Sequence, residues 1–502
     1  MLRWAGGAAL HVRLRPGVVL RRLERHDGVF LSYTALPPPL AIEDVTVIDA
    51  TGAPPRPHST VIVEEGRIAA VGPAASLRAP PGARRIVGAG GFVVPGLWDM
   101  HTHLSLTTES SLPLYVANGV TGVRDMGGDL DELDAFRLRI AAGTLAGPRV
   151  VRAGALVDGP KRGAAYRVTV TTPGEARQAV RQLAEQGVDF VKIHNRVPRD
   201  AYFALADEAK RVGLRFAGHL PRGVSAEEAA AAGQHSIEHT ETLVEAAIFE
   251  PGSRAASPED GLAAYTPERS AALWTRYKTA GTWVCPTLVE YRAFAHDGEP
   301  AIVDDPRAAW LSGPARAYVE RWSPAPPPPP PGDDPNAGRK AMFAQLERLV
   351  GEMARAGVGL LAGTDPPGRG VFPGFSLHDE LALLVEAGLT PMQALQAATR
   401  NPALFLGLDA STGTIEPGKD ADLLVLDADP LASIANTKRI RAVVAGGTLF
   451  ARRDLDRMLD GVRRSVAAPP ATPPTDSATP NGSARPVPAE KPAGAPPTAP
   501  AR

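Results

Sequence analysis

An α/β protein organised as a parallel (β/α)8 barrel is the fold class this sequence predicts, and three observations predict it. Eight short apolar runs alternate with amphipathic helical stretches between residues 90 and 365. That rhythm is the one of right-handed βαβ units and a parallel sheet. Eight such units are the number that closes a parallel sheet on itself. No glycine-rich phosphate turn follows the first run, which counts against an open doubly wound sheet.

In chain order, residues 1–40 carry no clear pattern and end in LPPPL, a natural boundary. Residues 41–72 alternate apolar and polar positions with hairpin turns, and residues 413–452 do the same. Neither piece is large enough to bury a core alone, so the two are expected to pair. This gives a composite β-sandwich from 41–93 with 410–455, around a barrel domain of 94–409. The eight runs are GGFVVPGLWDM, GVTGVRDM, GPRVVRAG, VDFVKIH, LRFAGHL, HSIEH, TWVCPTL and VGLLAGTD. Helix signals fall between them. Thr172 precedes Pro173 and Glu175 as a capping box, with Ala176, Val180 and Leu183 on one face, and Ser225 with Glu228 repeats the device. A proline-rich stretch at 323–338 is expected to be an exposed loop with polyproline II character. From Val466 to Arg502, Pro, Ala, Thr and Ser dominate, a composition that cannot bury a core and is expected to be a disordered tail.

With 44% apolar and 22% charged residues the composition is that of a globular protein. Lys+Arg 54 against Asp+Glu 55 offers no electrostatic case for nucleic acid or an anionic membrane. The single cysteine, Cys285, excludes a disulfide framework and a cysteine-built zinc site. No stretch reaches 18 continuous apolar residues. The basic, arginine-interrupted start makes a poor secretory signal, so a cytoplasmic location is expected.

The chemistry gathers at run ends. His101 and His103 stand at i and i+2 where the first run closes, so in a strand both face one side. Lys192, His219, His239 and Asp365 close the fourth, fifth, sixth and eighth runs. A barrel brings all C-terminal strand ends to one mouth. Imidazoles and a carboxylate are ligands for a zinc-class divalent ion. A single strand-end histidine is more often structural, but six such residues in a chain with 11 histidines form a joint signal. Lys192 fits either as an ion-pair partner of Asp365 or, with its pKa depressed, as an amine that adds CO2 and becomes a bridging carbamate. Arg124, Asp125, Tyr166, His194 and His378 are further candidates for substrate contact or structural support. Glu238, beside His239, is expected to point outward in an ion pair.

The strand-end HTH, Lys192, the two later histidines and the GTD ending in Asp365 resemble the amidohydrolase superfamily. GTIEPGKDADLLVLDADPL resembles its C-terminal sandwich signature. GVTGVRDMGG, VIDATGAPP and the stretch from Gly374 to Leu408 are similar to the imidazolonepropionase-related branch, which includes Xaa-Pro dipeptidases. The resemblance covers about residues 41–452. It implies a metal-dependent hydrolase that cleaves a C–N amide bond of a small-molecule substrate with a metal-activated water. His101, His103 and Asp365 would hold one zinc, His219 and His239 a second, and carboxylated Lys192 would bridge the two. Asp365 would accept the water proton and pass it to the leaving nitrogen. Imidazolonepropionase lacks the bridging lysine, so Lys192 favours the binuclear, dipeptidase-like type. Lactone or phosphoester hydrolysis at the same centre, and a metal-free scaffold, are the competing readings.

Overall fold

The computed structural model describes residues 38–160, 166–240, 266–322 and 334–467, apart from Ala89, and three strands within 1–37. Those strands, Leu2–Trp4, Val18–Arg25 and Gly28–Ala35, form an antiparallel sheet. The head is therefore not patternless. VVLRRLER and GVFLSYTA are rich in β-branched, aromatic and leucine residues and are separated by only two positions, a hairpin signal overlooked in the sequence. The tail from 468, residues 241–265 and the proline-rich 323–333 lie outside the described residues. Residue 466, expected to begin the tail, still belongs to the helix Arg452–Ala467, which buries Leu455 and Val462 seven positions apart on one face.

The chain is α/β, with two parallel sheets. One has the order Arg149–Arg152, Val120–Asp125, Leu97–Thr102. The other runs Arg167–Thr169, Leu156–Asp158, Val191–Ile193, Phe216–Gly218, Ser236–Glu238, Trp283–Cys285. Backbone bonds join them. Asp189 N donates to Arg152 O at 2.9 Å, Leu361 N to Val284 O at 2.9 Å, and Met100 N to Ala362 O at 2.9 Å. Helices cover these strands and share one large core with them, including Val123, Val191, Ile237, Leu205, Trp274 and Leu346.

Seven of the expected runs contain a parallel strand, and the eighth differs. Residues 358–365 make only one β-bridge, Leu360 with Val284, because Ala362 N is drawn aside to Ala397 O at 2.9 Å. The first run splits at Gly96. Phe92–Pro95 joins a mixed sheet and Leu97–Thr102 a parallel one. A Cβ at Gly96 would stand 2.1 Å from Thr121 Oγ1, so only glycine permits the strand to change sheets there. Both expected capping boxes are present: Glu175 N donates to Thr172 Oγ1 at 3.3 Å and Glu228 N to Ser225 Oγ at 3.2 Å, each glutamate answering back.

The two flanking β segments meet in one eight-stranded sheet. Leu423–Leu426 pairs with Phe92–Pro95, linking Leu40–Val47 and its neighbours to Ile440–Ala445 and Thr448–Ala451. They share a second core that includes Ile42, Val61, Val93, Leu423, Val425 and Val444. Among the described residues no helix is long and apolar enough to cross a membrane.

His378 settles as a structural residue. It is buried, its Nδ1 3.0 Å from Thr437 Oγ1 and its Nε2 3.0 Å from Asn118 O. Burial, with Lys438 nearby, pulls the imidazole down to about 4. It stays neutral in the fold while the unfolded chain binds a proton below about pH 6.5. Its cost is therefore absent above that pH and grows as pH falls towards 4, up to about 3 kcal/mol. His378→Gln, which can bond both partners, should flatten the fall in melting temperature between pH 6.5 and 4. An unchanged slope would refute this account.

Candidate metal centre

Strand ends carry five of the six side chains to one place, and the segment 358–365 carries the sixth. His101 lies in Leu97–Thr102 with His103 just beyond it, and Lys192 lies in Val191–Ile193. His219 and His239 follow Phe216–Gly218 and Ser236–Glu238. All six line one cavity of about 620 Å3. The His101 and His239 ring centroids are 4.7 Å apart, those of His219 and His239 4.6 Å, and Lys192 Nζ is 3.5 Å from His101 Nε2.

Three imidazoles converge on one carboxylate. Asp365 Oδ1 lies 3.3 Å from His103 Nε2 and 3.7 Å from His101 Nε2, and Oδ2 lies 3.6 Å from His239 Nε2. The opposite ring nitrogens are already engaged. His101 Nδ1 donates to Glu238 Oε2 at 3.0 Å, His103 Nδ1 to Gly127 O at 2.9 Å, and His239 Nδ1 sits 2.8 Å from Thr287 Oγ1. That orientation turns Nε2 of His101 and His103 towards a carboxylate, the nitrogen and oxygen donors that a divalent cation takes. His239 (φ 69) and Asp365 (φ 60) both take left-handed backbone, strain of the sort concentrated at functional sites. Asp365 N is pinned to His101 O at 2.8 Å, which fixes the carboxylate over the histidines.

The electrostatics follow. Burial, reinforced by Lys192, holds the His101 imidazole well below its usual range. Burial also draws Lys192 down to about 8 against the raising pull of Glu238 and Asp365. Burial would raise Asp365, but His101, His103 and His239 outweigh it and hold the carboxyl well below the carboxylate range. Under the site Asp99 accepts from His101 N at 3.2 Å and Thr364 N at 3.0 Å; burial still pushes it up to about 7.

The donor set fits divalent cations. His101, His239 and Asp365 offer ligand atoms all within 4.8 Å of one another. His219 Nδ1 is buried with no hydrogen-bond partner among the described residues, an orphaned lone pair or N–H that a ligated ion would satisfy.

Several expectations need correction. Glu238 does not point outward. It is wholly buried and receives His101 Nδ1 and, at 2.8 Å, Arg124 Nη2. The alternation argument failed because His239 leaves the strand in left-handed backbone, so neighbours 238 and 239 both turn inward. Arg124 does not line the cavity. Its guanidinium is spent on Glu238, on Ser236 Oγ at 2.9 Å and on Met100 O at 2.7 Å. Asp125 is likewise occupied, by Leu104 N and Gly127 N. Tyr166 and His194 do line the cavity, and His194 stacks on His219 at 4.1 Å between centroids.

Arg167, Glu290, Tyr291, Tyr318 and Arg321 also line it and were missed. Pro314, Ala317, Tyr318 and Arg321 occupy one face of the helix Gly313–Trp322 at i, i+3, i+4 and i+7. That spacing was available in the sequence, but nothing marked the helix as facing the site.

Comparison with known proteins agrees with this geometry. Residues 341–450 match the amidohydrolase family. A stretch of 101 residues is 38% identical to the ochratoxinase of Aspergillus niger, 19% of this chain and only 20% of that protein's length. Over the fold, the bottromycin amidohydrolase superposes with a TM-score of 0.67 at 26% identity, covering 86% of this chain and 91% of that one. A Xaa-Pro dipeptidase with bound methionine gives 0.63 at 21% identity, covering 82% and 100%. Residues 341–450 are thus similar to the amidohydrolase family, and the chain shares its fold with the bottromycin amidohydrolase and the Xaa-Pro dipeptidase.

Proposed function

We propose that this chain is a metal-dependent amidohydrolase that cleaves the C–N bond of a small amide, of the acyl-proline or cyclic amide class. The observation that carries the reading is the convergence of His101, His103, Lys192, His219, His239 and Asp365 on one cavity. In this reading His101, His103 and Asp365 would hold one divalent ion, and His219 and His239 a second. Lys192, carboxylated, would be a ligand to both, its amine held neutral more readily because burial lowers its pKa. Zinc is the ion the nitrogen-rich set suits best. Bound there, the pair would supply Lewis acidity and lower the pKa of water.

The chain's own groups do the rest. Glu238 keeps the His101 Nδ1 proton, so that Nε2 faces inward as a base. Asp365, ionised among imidazoles, accepts the proton of the attacking water and returns it to the leaving nitrogen. Burial of the histidines and Lys192 keeps bulk water from competing for these contacts. We also read the two parallel sheets and residues 358–365 as one closed barrel carrying the composite β domain. The bonds at Asp189, Leu361 and Met100 support that reading.

The test is metal removal with a substrate panel of acyl-prolines, cyclic amides, lactones and phosphoesters. Chelation should abolish amide turnover and zinc should restore it. Elemental analysis should find two ions per chain, and native mass analysis one CO2 added at Lys192. A clean preparation with no transition metal, active or not, would defeat the reading. Turnover confined to lactones or phosphoesters would change the bond and keep the centre.

A further inference from the structure

The strands Ser236–Glu238 and Trp283–Cys285 lie side by side, with Glu238 opposite Cys285. Beyond that pair both chains turn into left-handed backbone, His239 at φ 69 and Thr287 at φ 49. His239 N donates to Cys285 O at 2.9 Å, which holds the two turns together. For a β-branched residue this backbone is an outlier, kept only where its surroundings enforce it. The turn sets Thr287 Oγ1 2.8 Å from His239 Nδ1.

The hydroxyl has left its ordinary post to be there. Thr287 is the N-cap of the helix Leu288–Ala295, yet its side chain makes no capping bond. Thr172, Thr266 and Thr390, at the same position of their own helices, each accept a backbone N–H, at 3.3, 3.4 and 3.2 Å. At Leu288–Ala295 that duty falls to Glu380 of the helix Phe375–Glu386, whose Oε2 accepts from Val289 N at 2.8 Å. Glu380 and Thr287 are both buried. Thr287 thereby keeps its oxygen for His239 and donates its own hydrogen to Glu290 Oε2, 3.5 Å away.

We propose that Thr287 is a positioning residue for His239, holding the Nδ1 proton so that Nε2 is presented as a lone pair to the second ion. The relay runs from His239 Nδ1–H to Thr287 Oγ1, and from Thr287 O–H to Glu290 Oε2. It serves one of the two proposed sites, because His101 and His103 are oriented by Glu238 and by Gly127 O instead. The inference rests on the two-ion reading for what His239 ligates, whereas the orientation of the ring is measurable without metal.

Thr287→Val keeps the β-branched shape and removes the hydroxyl, and Thr287→Ser keeps the hydroxyl and removes a methyl group. Thr287→Gly removes the hydroxyl and suits left-handed backbone, so it stands in if valine prevents folding. Titrating each metal-free protein with zinc gives the affinity of both binding steps. Thr287→Val and Thr287→Gly should bind the second ion about 10- to 100-fold more weakly, the scale for groups that orient a ligand. The first ion should bind as in wild type, and Thr287→Ser should match wild type at both steps. A purely structural Thr287 predicts the reverse: glycine close to wild type, and any loss in valine shared by both ions. That result, or unchanged affinities in Thr287→Val, overturns the proposal and leaves the two-ion reading standing. If wild type takes up fewer than two zinc ions, the two-ion reading fails. Nitrogen NMR of the His239 ring in metal-free protein, at about pH 9 where imidazoles are neutral, then decides the orienting role. An Nδ1–H form in wild type and Thr287→Ser, mixed with Nε2–H in Thr287→Val, upholds it, and the same form in all three overturns it.

Discussion

Asp365→Asn protein should keep its fold and hydrolyse amides at least about 10³-fold more slowly than wild type, the range that proton-transfer groups contribute. Asparagine has nearly the same shape, so packing against His101 and the left-handed backbone at 365 are preserved. It removes two properties together. The amide cannot accept the proton of an attacking water, and it carries no negative charge beside His101, His103 and His239. The loss should lie in kcat, with melting temperature and circular dichroism close to wild type. A folded Asp365→Asn protein with ordinary kcat would end the proposed role.

The second large effect concerns stability. Arg124 and Glu238 form an ion pair with both side chains fully buried. Arg124→Met strands the Glu238 carboxylate beneath His101 without its guanidinium, and the loss expected for breaking one side of such a pair is about 3–5 kcal/mol. It also deprives Met100 O and Ser236 Oγ of donors. Arg124→Met with Glu238→Leu should recover part of that loss, since two apolar groups leave no stranded charge. Denaturant unfolding measures both. A single variant within about 1 kcal/mol of wild type would count against the buried ion pair as a source of stability.

Much of this was legible in sequence because the rules involved are local. HTH at i and i+2, a capping box or a short apolar run before a glycine each needs only its own neighbours. The helix starts at Thr172 and Ser225 came out as read. The six side chains that line the cavity were legible because parallel strands place their C-terminal ends on one side. What escaped depends on tertiary geometry. Glu238 was misplaced because the left-handed turn at His239 cancels strict alternation. Arg124 was taken for a substrate contact because a lone sequence does not show that Glu238 and Ser236 would claim its donors. The eighth run reads as a strand, yet its N–H at Ala362 is diverted to the end of a distant helix. Arg167 and Arg321 look like ordinary surface arginines until the cavity is assembled around them.

The join between Phe92–Pro95 and Leu423–Leu426 bears on how the chain is made. As the nascent polypeptide leaves the ribosome, the earlier strand waits for a partner that begins 328 positions after Pro95 (423 − 95). At about 5–20 residues per second that wait is roughly 15 to 65 seconds. Throughout it an apolar edge holding Val93 and Val94 stands open, and exposed edges of that kind nucleate misassembly. Production of this protein should accordingly respond to chaperone supply and to growth temperature, and any truncation before residue 423 should yield aggregate rather than a smaller enzyme.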